Sequence, residues 1–199
     1  MTGNDVGPRL YDENVSEHHD DFLARGPRVA LRALTRADAA EFIRLVRASE
    51  ELHHPWLSMP TTAQAFTAYM DRTDAVETAR LLVCLPGADG AIAGFVNINN
   101  IVRGAFRSGY LGYGSFAPTA GHGYMTEGLG LVLRYAFGSL GLHRLEANVQ
   151  PGNAASLALV KRLGFRLEGF SPDYLFISGA WRDHERWAIT ADMIDAAEA

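Results

Sequence analysis

A single cysteine, Cys84, stands among the 199 residues, so no disulfide can form within the chain. It sits in the apolar run Leu81-Leu82-Val83-Cys84-Leu85, with no electropositive neighbour to lower its pKa. It reads as a buried thiol rather than a nucleophile. No C-x-x-C or related spacing occurs, so no metal is expected. His18, His19, Asp20 and Asp21 are consecutive and point in different directions, which suits a solvated tail and not a metal site. No apolar run approaches the ~18–20 residues of a membrane span. The first residues lack the basic and apolar regions of a signal peptide, so a cytoplasmic location without a membrane partner is expected. Positive charge is in deficit, 18 Lys and Arg against 23 Asp and Glu for a formal net charge of -5, which argues against direct nucleic-acid binding. A phosphate loop ending in Gly-Lys-Ser/Thr is missing. The dinucleotide fingerprint G-x-G-x-x-G is also incomplete, because the run Gly121-His122-Gly123-Tyr124-Met125-Thr126 ends in threonine.

What is present fits one soluble domain with a sizeable core: 48% hydrophobic and 21% charged residues. Residues 1–26 are polar, acidic and aperiodic and read as a loosely ordered arm; residues 27–199 read as a single domain. Residues 28–34 alternate as a strand. A helix follows with Thr35 as its N-cap and Ala39, Phe42, Ile43 and Val46 on one face, and a second carries Ala65, Phe66, Tyr69 and Met70. Strands over 80–85, 91–102 and 108–116 come next. Then Leu129, Val132, Leu133, Ala136, Phe137 and Leu140 mark a long helix that Gly141 ends. A strand over 143–149, a helix capped by Asn153 and stopped by Gly164, and a hairpin turning at Ser178-Gly179 complete the chain. Three consecutive strands before the long helix exclude a doubly wound parallel sheet. The expected class is α/β (α+β), a mixed, mostly antiparallel twisted sheet of about seven strands with about four helices.

The stretch Pro118-Thr119-Ala120-Gly121-His122-Gly123-Tyr124 joins a strand to the long helix. Without a Cβ, Gly121 and Gly123 let anionic oxygens approach the amides, and first-turn N–H groups lack intrahelical partners. The pattern suits a pyrophosphate cradle that needs no lysine; a glycine turn that only permits close helix packing is the competing reading.

A second constellation lies about thirty residues on. Asn153, Ser156 and Leu163-Gly164-Phe165 form an N-x-x-S…L-G-F pattern. Together with the glycine stretch it resembles the GNAT acetyltransferase superfamily, in its RimJ/RimL branch. The family loop pattern Q/R-x-x-G-x-G/A falls on Ala120 to Met125, departing at Ala120 and Met125 and keeping Gly123. The resemblance extends from about Arg28 to Thr190 and is strongest after Gly94. It implies the GNAT fold and acetyl-CoA as cosubstrate. Pantetheine would lie along Gly114, Ser115 and Phe116, and pyrophosphate on the amides of Gly121, His122, Gly123, Tyr124, Met125 and Thr126. Asn153 would bond the pantetheine arm. It further implies acetylation of a protein N-terminal α-amine, that of a ribosomal protein beginning with Ala. A small-molecule amine is the alternative acceptor, and a non-catalytic acyl-CoA-binding or ribosome-associated factor the alternative of another class. A monomer and a homodimer are both compatible.

The chemistry, attack of a neutral amine on a thioester, needs a donor for the departing thiolate. Ser156 is the candidate, since Val160 stands where many members carry a tyrosine acid. No carboxylate declares itself as base. An α-amine titrating near ~7.7–8.0 is roughly one-third neutral at pH 7.5, against about one lysine in a thousand. Tyr110 and Asn148 are candidate organisers on the strands flanking the acetyl group. Glu50 and Glu51 are candidates to attract the amine, Trp56 to line the substrate mouth and Tyr174 to border it; for each, a structural or solvated role competes. Trp181-Arg182-Asp183-His184 alternates along a strand and reads as a structural hairpin.

Overall fold

The computed structural model describes residues 22–72, 77–87 and 90–198; the first 21 residues of the expected arm lie outside it. The eight strands are β1 (Ala24–Arg25), β2 (Ala30–Ala33), β3 (Ala79–Cys84), β4 (Ile92–Val102), β5 (Ser108–Ser115), β6 (Arg144–Val149), β7 (Arg166–Ile177) and β8 (Ala180–Thr190). They form one sheet in the order β1-β2-β3-β4-β5-β6-β8-β7. Only β5 and β6 are parallel; every other neighbouring pair is antiparallel. The helices are α1 (Ala39–Ala48), α2 (Glu50–His53), α3 (Ala63–Asp71), α4 (Tyr124–Arg134), α5 (Ala154–Arg162) and α6 (Ala191–Glu198). The mixed, mostly antiparallel sheet is as expected. Additions are β1, made by the last residues of the expected arm, the separate turn α2, and α6. β7 also begins at Arg166, ahead of the expected Asp173.

Strand alternation sorts the core onto the two faces of the sheet. Leu81 and Val83 of β3 face α4 and α5, joining Leu129, Val132, Leu145 and Val160. Leu82 and Cys84 face α1 and α3, joining Phe42, Phe66, Phe95 and Phe116. Phe42 is the hub of that second cluster, its ring 5.6 Å from Phe66 and Phe116 and 5.8 Å from Phe95. Cys84 is fully buried and its thiol pKa is pushed up by that burial, in keeping with an inert thiol.

Helix ends follow local chemistry. Asn153 Oδ1 accepts the Ser156 N–H at 3.1 Å and starts α5, while Gly164, at φ 83, releases it. The first helix opens through a single 3-10 turn in which the Asp38 carboxylate accepts the Thr35 N–H at 2.8 Å. α4 continues through a π turn, Tyr135–Ser139, before Gly141 at φ 65 ends it. α4 sits close to the sheet because Gly128 has no side chain: a Cβ there would lie 2.6 Å from Val83 Cγ2. Ser178 and Gly179 both adopt positive φ, which makes the final hairpin the tight two-residue kind.

Candidate active site

The site begins where the parallel strands part. β5 and β6 pair only from Ser108 opposite Arg144 to Leu111 opposite Ala147, yet β5 continues to Ser115 and β6 to Val149. β5 stays on β4 as far as Ser115 opposite Gly94, and Phe116 N–H donates to Ala93 C=O at 3.0 Å. By alternation, Tyr113 and Ser115 turn their peptide groups toward the opening. That edge of β5 suits an extended ligand laid alongside as an added strand. His53 Nε2 donates to Ser115 C=O at 2.9 Å and fixes the end of the edge. Burial lowers the proton affinity of His53, so the ring is neutral at pH 7. Gly114 is required by packing, since a Cβ would lie 2.8 Å from Phe95 Cε1.

At one end of this opening the turn before α4 forms a cradle. Gly121 and Gly123 adopt φ 80 and φ 78, left-handed values that side-chain-bearing residues rarely hold. Gly123 C=O takes the N–H groups of Thr126 and Glu127, at 3.1 and 3.3 Å. The amides before Thr126 lack intrahelical acceptors, and the positive end of the helix dipole lies with them. Arg28 clamps the loop from β2's side: Nη1 donates to His122 C=O at 3.1 Å and Nε to Glu127 Oε2 at 2.9 Å. Arg28 also holds the Glu127 carboxyl below the ordinary range. From α5, Arg162 lines the cradle, with Nη1 3.4 Å from Thr126 Oγ1.

Three cavities join end to end. The cradle, about 220 Å³, shares Ser115, Met125, Ala155 and Leu159 with a middle section of about 180 Å³. The middle section shares Trp56, Leu57, Tyr113, Asn153 and Ser156 with an outer cavity of about 650 Å³. At that second junction Tyr113 Oη and Ser156 Oγ are 2.7 Å apart. Burial raises the Tyr113 phenol to about 12, so it stays protonated and can donate to Ser156, whose own O–H is then directed onward.

The outer cavity is lined by Asn99, Tyr110, Asn148, Tyr174 and His184 among others, and no Asp, Glu, Lys or Arg is among its lining residues. Asn148 Oδ1 is buried without a hydrogen-bond partner. Gln150 Nε2 donates to Trp56 C=O at 3.2 Å and ties the mouth to β6's end.

Residues 28–166 match the acetyltransferase (GNAT) domain. The chain belongs to the GNAT acetyltransferase family. The RimJ of Mycobacterium smegmatis, solved in complex with CoA-disulfide, is 31% identical, with a TM-score of 0.76 over 85% of this chain and 89% of that one. The ribosomal protein uS5-alanine N-acetyltransferase of Escherichia coli (strain K12) is 44% identical over 99 residues, 50% of this chain and 51% of that protein. The chain thus spans about half the length of the curated relatives it matches most strongly. A spermidine N-acetyltransferase from Vibrio cholerae, in complex with CoA and spermine, shares the fold at 23% identity and TM-score 0.72, covering 84% of this chain and 98% of that one.

Within this GNAT fold most expected site residues converge. Gly121, Gly123, Tyr124, Met125 and Thr126 line the cradle; Gly114, Ser115, Asn153 and Ser156 line the middle section. Tyr110, Asn148, Trp56 and Tyr174 line the outer cavity. Val160 is buried in the core and offers no group to the site. Three expectations are corrected. Phe116 is fully buried in the aromatic cluster and its N–H is used by Ala93, so neither faces the opening. The His122 ring folds back, Nδ1 donating to Ala120 C=O at 2.9 Å, and stacks on Tyr124, which leaves only its backbone for an anion. Glu50 and Glu51 are exposed on α2 and line none of the three cavities; His53, on the inward side of the same turn, is the residue that does. Among the described residues no cluster of His, Cys, Asp or Glu is placed to hold a metal, and no helix is long and apolar enough to cross a membrane.

Sequence reasoning missed Tyr113, His53, Arg162 and His184. Arg162 was accessible through helical spacing, because Ala155, Ala158, Leu159 and Arg162 form one stripe of α5 over the cradle. The others needed the sheet order and the register.

Proposed function

We propose that the protein transfers an acetyl group from acetyl-CoA to the free α-amino group of a polypeptide N-terminus, that of a ribosomal protein, with Ala as the expected first residue. The observation that carries this reading is the continuous path from the anion cradle, past the Tyr113–Ser156 pair, to an outer cavity lined without any charged side chain.

The residues fit acetyl-CoA. The amides around Gly121 and Gly123, with Arg162 beside them, suit a pyrophosphate, and the β5 edge at Tyr113 and Ser115 suits a pantetheine amide chain. Arg162 supplies from α5 the side chain that Ala120 does not supply from the loop. When bound, acetyl-CoA supplies an activated acetyl thioester. Asn153 uses Oδ1 to cap α5, which leaves its amide N–H₂ to face the channel. Ser156, receiving the Tyr113 hydrogen bond, directs its O–H at the sulfur position.

The acceptor reading rests on charge. A polyamine carries several ammonium groups and calls for carboxylates; none lines this cavity. A peptide N-terminus brings one amine, partly neutral at pH 7.5, followed by polar amides that Asn99, Asn148 and Gln150 can meet. The RimJ likeness at 31% identity and the uS5-alanine N-acetyltransferase likeness over half the chain point the same way.

The experiment is a thiol-release assay with acetyl-CoA over peptides and small amines. Peptides beginning with Ala are expected to turn over faster than the same peptide with a blocked N-terminus and one free lysine. Equal rates, or preference for spermidine, would remove the α-amine assignment. A melting-temperature rise with acetyl-CoA but no turnover on any amine would favour a binding module.

A further inference from the structure

Acetyl transfer obliges the amine nitrogen to shed a proton, and no carboxylate lines the outer cavity to receive it. We propose that His184 of β8 accepts this proton at Nε2, with Asn148 Oδ1 holding the amine beside it. This rests on the acyl-transfer reading above.

The register places the two groups together. Asn148 of β6 is opposite Arg186 of β8, and directly opposed residues put their side chains on the same face. His184, two positions from Arg186, shares that face, and both His184 and Asn148 line the cavity. The run 181–184 alternates, as its sequence shows, but its inward member is the histidine: His184 is 1% exposed while Trp181 is 60% exposed.

The tautomer is set by the backbone. His184 Nδ1 lies 2.8 Å from Arg182 C=O, which can only accept, so Nδ1 carries the hydrogen and the lone pair is on Nε2. Several groups face the ring. Arg182 and Arg186 flank it along β8, Tyr174 of β7 packs edge-on with centroids 6.0 Å apart, and Tyr110 of β5 and Glu146 of β6 share the face. Glu146 is engaged by Arg144 Nε at 2.9 Å, and neighbouring Asp183 accepts the Asp173 N–H at 2.9 Å. Burial outweighs the attraction of Asp183 and lowers the proton affinity of the ring, so it stands neutral at pH 7.

Asn148 adds an independent pointer. Its Oδ1 is buried and without a partner, an arrangement native proteins avoid unless a bound molecule supplies the donor. An amine N–H is such a donor. In the step itself, the nitrogen forms the N–C bond to the acetyl carbon as the C–S bond breaks. The electron pair leaves on sulfur under the Ser156 hydroxyl, and the nitrogen's surplus proton passes to His184 Nε2 and from there to solvent. Solvent supplies the proton that converts the released thiolate to thiol, so the balance closes without another reactant.

Two measurements test this. His184→Gln keeps a donor for Arg182 C=O and removes the base. We expect kcat to fall at least ~100-fold while the melting shift with acetyl-CoA is retained. The second uses the unmodified protein with a peptide acyl hydrazide, whose terminal nitrogen stays neutral through the range. Its kcat/KM is expected to be flat above about pH 6.5 and to fall below it. The acid limb should persist in His53→Gln, the other buried histidine. A His184→Gln rate within threefold of the unmodified protein, or a profile flat to pH 5, overturns the assignment. If His184→Gln does not fold, the profile alone decides. Loss of all turnover and of the melting shift in the unmodified protein would instead refute the acetyltransferase reading.

Discussion

Tyr113→Phe removes one oxygen at the junction between the cofactor channel and the acceptor cavity. The 2.7 Å bond to Ser156 is between neutral, part-buried hydroxyls, and such a bond contributes about 0.5–1.5 kcal/mol to stability. Its catalytic weight is argued separately. Because burial raises the phenol to about 12, Tyr113 is a donor throughout the working range, and Ser156 must turn its own hydrogen elsewhere. A hydrogen bond to developing thiolate charge is worth about 1.5–3 kcal/mol, or roughly 10- to 150-fold in rate. Ser156→Ala should lose that amount. Tyr113→Phe leaves the serine free to rotate and should lose less, about tenfold in kcat. KM for acetyl-CoA should stay within about threefold, since the cradle is untouched. The two substitutions act through one chain of hydrogen bonds, so the double variant should be no more than about threefold slower than Ser156→Ala. The assay is steady-state thiol release with an Ala-initiated peptide, with melting temperature measured alongside. A Tyr113→Phe protein that melts earlier but turns over at the original kcat would refute the relay. So would a double variant whose loss is the product of the two single losses.

Three further outcomes follow from the geometry. Gly114→Ala would press a methyl to 2.8 Å from the Phe95 ring, costing about 1–3 kcal/mol in thermal or urea unfolding and weakening the acetyl-CoA melting shift; unchanged stability would contradict the packing argument. Arg162→Ala should raise KM for acetyl-CoA about three- to tenfold with kcat little changed, whereas Glu50→Gln and Glu51→Gln should leave kcat/KM within twofold, because neither carboxylate reaches the path. His53 and His184 both titrate lower when folded than the ~6.5 of an unfolded chain, so unfolding takes up protons in that window. Stability should therefore be fully present above about pH 6.5 and decline as pH falls below it. A melting temperature constant from pH 7 to 5.5 would show that neither ring is held neutral by burial.

Much of the architecture was legible in local patterns. The apolar spacing of Leu129, Val132, Leu133 and Ala136, the Asn153 cap, and the Gly141 and Gly164 stops all appear where read, because each depends on residues within a turn or two. The glycine cradle was equally local: left-handed backbone at Gly121 and Gly123 needs no distant partner. Errors arose where a side chain's direction depends on packing. Phe116 turns into an aromatic cluster built by α1 and α3, and the α2 carboxylates turn out to solvent while His53 turns in.

The sequence determined by itself the class of sheet, the helix boundaries, the anion cradle and the Asn153–Ser156 pair, since these are set by periodicity, backbone conformation and short-range capping. Only the tertiary structure decided which groups meet. Tyr113 and Ser156 are 43 residues apart, and His184 joins Asn148 through a strand order that runs β6-β8-β7. Whether a residue of an alternating strand faces a cavity or solvent is fixed by its register against a neighbour far away in the chain, and a one-residue slip would reverse it.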